Sequence, residues 1–212
     1  MNTFILGRLL TSLAMASGAA ALLATGTVVA QTYDLLINTD QDSTVELKKP
    51  GNSVLVDRDI SIAPSRGNGI TGLAGDDWRI TNRGSINSGS GGKAIELDGP
   101  NASVINEHRI RGDMAGINGR AGLHLLNAQN AIISGNSAVT GSGQLNLDNS
   151  GTIKGTLQGI NFDLPSSGTG ATLINRGLVE GGYLGVRLYS SADSTATNSI
   201  RNLAGGSCWV PG

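Results

Sequence analysis

Beyond residue 30 the chain alternates apolar and polar residues in short bursts: Ala94-Ile95-Glu96-Leu97, Gly122-Leu123-His124-Leu125, Gln144-Leu145-Asn146-Leu147, Gly159-Ile160-Asn161-Phe162 and Gly185-Val186-Arg187-Leu188. Alternation over a few residues, bounded by Gly, Ser, Asn and Pro, predicts short strands with one buried face. No stretch of this region carries the 3.6-residue periodicity of an amphipathic helix. An all-β protein with many turns is expected.

A second pattern interleaves with the first. Ile80-Thr81-Asn82-Arg83-Gly84-Ser85-Ile86, Leu147-Asp148-Asn149-Ser150-Gly151-Thr152-Ile153 and Leu173-Ile174-Asn175-Arg176-Gly177-Leu178-Val179 all read apolar-x-Asn-x-Gly-x-aliphatic. In a fourth copy, Val104-Ile105-Asn106-Glu107-His108-Arg109-Ile110, His108 replaces the glycine. Asn82 and Asn106 lie 24 residues apart and Asn149 and Asn175 lie 26 apart. The 43 residues between Asn106 and Asn149 fit two periods around a decayed copy near Leu126-Asn127.

A unit of 21–26 residues with two or three short strands cannot enclose a core alone, whereas stacked copies share one. These features predict a right-handed parallel β-helix. Leucine-rich repeats have a similar period but need an L-x-x-L-x-L-x-x-N frame, which is absent here. Stacking assigns structural work to Asn82, Gly84, Asn106, Asn149, Gly151, Asn175 and Gly177. Amides repeated at about 4.8 Å can bond to the copies above and below, and glycine lets the chain bend without a Cβ clash. A locally altered corner is expected at His108.

Residues 1–30 have a different character. Arg8 precedes an Ala-rich apolar stretch from Leu9 to Ala30, ending Val28-Val29-Ala30 before Gln31. This is the pattern of a cleavable secretory signal. The competing reading, an uncleaved anchor, has sufficient length but is weakened by the Ala, Gly, Ser and Thr content. Residues 31–66 read as an irregular N-terminal coil or cap, 67–203 as the repeats and 204–212 as a tail.

Composition narrows the function. With Lys+Arg 15 against Asp+Glu 16, the net charge is −1, leaving no basic field for a dedicated nucleic-acid binder. The single cysteine, Cys208, excludes an intrachain disulfide and any site needing two thiolates from this chain. Glycine is abundant at 32 residues and aromatics reach 3%, so the core must be aliphatic.

The signal, the Asn-x-Gly-x-Ile repeats, the interleaved Ala-Ile-x-Leu pieces and the poverty in Cys and aromatics together resemble the secreted passengers of bacterial autotransporters, the pertactin-like β-helix proteins. The resemblance spans roughly Gly67 to Leu203. It implies export to the periplasm, cell surface or extracellular space, passage through a C-terminal outer-membrane β-barrel, and adhesion to a host-surface protein or glycan. Ten residues follow Asn202, too few for a barrel of at least eight strands. A truncated passenger, a passenger served by a separate barrel chain, and a nonfunctional gene fragment are the resulting expectations.

Parallel β-helices also carry polysaccharide lyases and glycoside hydrolases, and the latter use paired carboxylates. Asn38-Thr39-Asp40 and Gly75-Asp76-Asp77 resemble polygalacturonase signatures, and Arg109-Ile110-Arg111 partly resembles their substrate-binding Arg-Ile-Lys. Their Gly-His-Gly is missing, so Asp40, Asp76 and Asp77 read first as solvated turn residues. His108 and His124 are 16 apart without metal-ligand spacing. Ser88-Gly89-Ser90-Gly91-Gly92-Lys93-Ala94 lacks the full phosphate-loop frame. Arg111-Gly112-Asp113 is an integrin-type tripeptide, offered as an adhesion motif against the simpler reading of a polar turn. No enzyme activity, cofactor or metal is expected.

Overall fold

The computed structural model of the protein describes residues 33–48, 53–72 and 77–209. The fold is a parallel β-solenoid of about 24 residues per turn, with no helix among the described residues. The proposed signal segment lies outside them, as does Asp76.

Each turn contributes three faces. The first is a continuous sheet of eight parallel strands: Leu35–Ile37, Ser53–Val56, Arg79–Asn82, Ser103–Asn106, Gly122–Asn127, Gln144–Asn149, Thr169–Asn175 and Thr197–Asn202. The second comprises Ser61–Ile62, Ser85–Asn87, Arg109–Arg111, the first parts of Ile132–Ser142 and Thr152–Asp163, then Leu178–Gly181 and Ser207–Trp209. The third comprises Val45–Leu47, Ile70–Gly72, Lys93–Leu97, Ala115–Gly119, the later parts of the same two long strands, and Leu184–Tyr189. Because Ile132–Ser142 and Thr152–Asp163 run through the corner, faces two and three join into one 12-stranded sheet. The stack amounts to about six turns.

Pairing begins within residues 31–66, where Leu35–Ile37 lies on Ser53–Val56 and Val45–Leu47 on Ile70–Gly72. At the other end Ser207–Trp209 lies on Leu178–Glu180.

Register explains the period-2 pattern. Every second residue points inward and stacks on its equivalent in the next turn, so identical or similar aliphatics form columns. Face one contributes Leu35, Val54, Ile80, Val104, Leu125, Leu147, Leu173 and Ile200. Face two contributes Ile62, Ile86, Ile110, Ile133, Ile153, Val179 and Cys208. Face three contributes Val45, Ile70, Ile95, Ile117, Val139, Ile160 and Val186. Each fully buried member contributes roughly 1.5–3 kcal/mol. A core with few aromatic rings is therefore achieved by repetition, with Trp78 and Phe162 as its two large rings.

The corners differ in regularity. The one between faces one and two holds two residues at Arg83-Gly84, Glu107-His108, Ser150-Gly151 and Arg176-Gly177. It therefore keeps its length at His108. The one returning from face three to face one ranges from a single residue, Gly143, to the seven of 190–196.

Candidate functional site

The recurrent asparagines occupy the end of face one. Asn82 donates its side-chain N–H to Asn106 Oδ1 at 2.9 Å, Asn106 to Asn127 at 2.9 Å, Asn127 to Asn149 at 2.8 Å, Asn149 to Asn175 at 2.8 Å and Asn175 to Asn202 at 2.8 Å. The other amide hydrogen of each donor reaches a face-two carbonyl one turn on, at Arg109, Ile132, Thr152, Leu178 and Ser207 respectively. Asn82 through Asn175 are fully buried, so these bonds are made away from water. The ladder begins with an unmatched group: Val56 precedes Asn82 in the column, and Asn82 Oδ1 has no hydrogen-bond partner among the described residues. It ends on Gly206, whose carbonyl accepts from Asn202 Nδ2 at 3.0 Å. Gly177 follows the ladder because a Cβ there would run into the Gly151 carbonyl of the preceding turn. This is a structural device rather than a ligand site.

A second column lies at the corner between faces two and three. Gly112, Gly135, Gly155 and Gly181 each follow the last outward residue of face two, namely Arg111, Ser134, Lys154 and Glu180. The chain doubles back so tightly that a Cβ on Gly112 would overlap the Ala115 carbonyl, and one on Gly155 the Gln158 carbonyl. The bare corner leaves a groove of about 1000 Å³ along the stack. Arg111, Ser134 and Lys154 form one wall, Asp113, Asn136 and Thr156 the other, and Ser88–Ser90 the lip at one end.

The groove fixes the setting of Arg111-Gly112-Asp113. Arg111 is held in a strand between Asn87 and Ser134, and Gly112 belongs to the corner column. Asp113 accepts from the Gly91 N–H at 2.7 Å, and its own N–H donates to Ser88 Oγ at 2.8 Å. The tripeptide is thus part of a built corner. Lys154 is paired with Glu180 at 3.0 Å, whereas Arg111 takes part in no ion pair among the described residues. The glycine column escaped sequence reading because its flanking residues differ in every copy, although the recurrence of x-Gly at about the Asn period was visible.

Of the carboxylates singled out as a catalytic alternative, the two described, Asp40 and Asp77, are not brought together. Asp40 follows the first strand of face one and accepts from the Ser61 N–H at 2.8 Å; Asp77 precedes the third strand of the same face and accepts from Asn101. They sit at opposite corners of the prism, each closing a turn. No group of three or more metal-ligating side chains occurs among the described residues.

One ionised group is notably enclosed. Glu96 projects from face three and accepts from Lys93 Nζ at 2.5 Å, Asn68 Nδ2 at 2.7 Å and Asn118 Nδ2 at 3.3 Å, with Arg120 3.8 Å away. Burial pushes its carboxyl upward, but the Lys93 and Asn68 hydrogen bonds and the charges of Lys93 and Arg120 outweigh this and hold it below the ordinary value of 4.5. All its near partners come from neighbouring turns or its own strand, so it braces the sheet.

The fold and this geometry define a parallel β-solenoid with a groove beside its glycine column. No family model, curated protein or solved structure matches the chain.

Proposed function

We propose that the protein is an exported β-helix scaffold of the autotransporter-passenger kind, acting in adhesion at the cell surface or outside the cell. The sequence supports export through its first 30 residues, and the stack supplies a stiff rod of about 34 Å from seven inter-strand steps. Contact is made in the groove beside the glycine column. The observation that carries this reading is the spacing of Arg111, Ser134 and Lys154 on three successive turns of one wall, with the Arg111 guanidinium uncommitted.

An extended acidic glycan fits this wall better than a peptide strand. The groove floor is central sheet whose backbone groups already pair between turns, so it offers no edge for strand addition. It offers hydroxyls, amides and cations repeated along the axis instead, and Arg is suited to bidentate carboxylate recognition. Titration calorimetry with a uronate oligosaccharide tests this. Binding should be salt-sensitive and fall at least about tenfold in Arg111→Ala and in Lys154→Ala, the loss of about 1.4 kcal/mol expected for a charge-assisted contact. Equal affinity in wild type and both variants would refute it.

A further inference from the structure

The apolar columns of faces one and three are open at both ends of the stack. On face one, Val54, Ile80, Val104, Leu125, Leu147 and Leu173 are at most 3% exposed, yet the terminal members are not: Leu35 is 37% and Ile200 57% exposed. Face three repeats the pattern, with Val45 and Val186 only partly buried while Ile70, Ile95, Ile117, Val139 and Ile160 are fully so. The face-two column ends at the exposed Cys208. The strand Thr197–Asn202 is exposed throughout, whereas Thr169–Asn175 beneath it keeps its inward residues buried. Leu35–Ile37 and Thr197–Asn202 each have one sheet neighbour among the described residues. Their outer backbone groups form an edge able to pair with another chain.

We propose that copies of this chain associate head to tail, with the Thr197–Asn202 end of one seated on the Leu35–Ile37 end of the next. The two exposed ends are successive positions of a single column, so Ile200 of one copy over Leu35 of the next continues the stacking used inside the molecule. Joining in the same sense keeps strands parallel and preserves the order of the three faces around the axis, so the face-one column continues; Cys208 then meets Gln41, the bridge partner of Ile62, and face three, with one strand fewer than face one, is left one rung short. Twofold joining of identical ends reverses that order, letting only one face meet its counterpart. Such a head-to-tail contact is heterologous and does not close, so assemblies grow linearly.

Sedimentation velocity of the full chain over a wide concentration range tests this proposal, independently of any ligand in the groove. A series of species lengthening with concentration is expected; a chain that remains monomeric throughout overturns it. Ile200→Lys and Leu35→Lys each place an edge-protecting charge at one exposed end and should each be monomeric, with unchanged circular dichroism. Mixed, they should form a one-to-one dimer and nothing larger, because each retains the end the other lacks. Dimers of either variant alone would show pairing of identical ends and overturn the proposal. If a variant fails to fold, the wild-type sedimentation result decides.

Discussion

Replacing Asn127 by Ala should be far more damaging than replacing Asn202, although both belong to the same ladder. Asn127 accepts from Asn106 and donates to Asn149 Oδ1 and the Thr152 carbonyl, all within the buried stack. Its loss removes two well-formed amide–amide bonds, worth about 1 kcal/mol each, and leaves Asn149 Oδ1 without its donor at a cost of about 1–3 kcal/mol. A total of at least about 3 kcal/mol is expected. At Asn202 the site is exposed, and Asn175 Nδ2 retains the Ser207 carbonyl at 3.1 Å, so Asn202→Ala should cost about 0.5–1 kcal/mol. Urea unfolding followed by circular dichroism reads the difference: with a slope of about 2 kcal/mol/M, Asn127→Ala should lower the midpoint by about 1.5 M and Asn202→Ala by at most about 0.5 M. Two midpoints within about 0.3 M of each other would refute the claim that burial and the orphaned acceptor set the energy of the ladder.

Two further outcomes follow from the corners and from Glu96. Gly112→Ala should destabilise the fold by at least about 2 kcal/mol in the same assay, since the new Cβ overlaps the Ala115 carbonyl, whereas Arg111→Ala next to it should leave the midpoint nearly unchanged. Glu96 has a folded pKa below its unfolded value, so its stabilising contribution is present above the unfolded value of about 4.5 and fades as pH falls through the lower folded value. Glu96→Gln should therefore flatten the stability profile below about pH 4.5, and a profile as steep as wild type would count against the bracing role.

The architecture was readable because a ladder amide tolerates few replacements and its position in each turn is fixed by the strand before it. Asn82, Asn106, Asn149 and Asn175 each stand at the last position of a face-one strand. Asn127 was harder to see because four residues, Ala128–Ala131, occupy the corner that holds two after Asn82, Asn106, Asn149 and Asn175, displacing the following glycine-aliphatic signature. Asn130 there adopts φ 66°, a conformation Asn tolerates. The groove was less legible for a different reason. Its walls are outward residues from successive turns, and Arg111, Ser134 and Lys154 share neither charge nor size, so only register brings them into line. A tripeptide such as Arg111-Gly112-Asp113 looks like a unit in one dimension, although its glycine answers to a different constraint from its flanking charges.

The uneven connection from face three to face one has a consequence for how such a molecule can diversify. A single glycine suffices at Gly143, while 190–196 makes an excursion of seven residues, yet the strands that follow reach the same column, the second after a register shift between Thr169 and Thr172. Insertions at that edge are absorbed as bulk on the outside of the prism. The opposite edge, pinned by its amides, varies only between two and four residues. New recognition loops can thus accumulate along one seam without retuning the rest, which makes that seam the natural place to graft a foreign epitope.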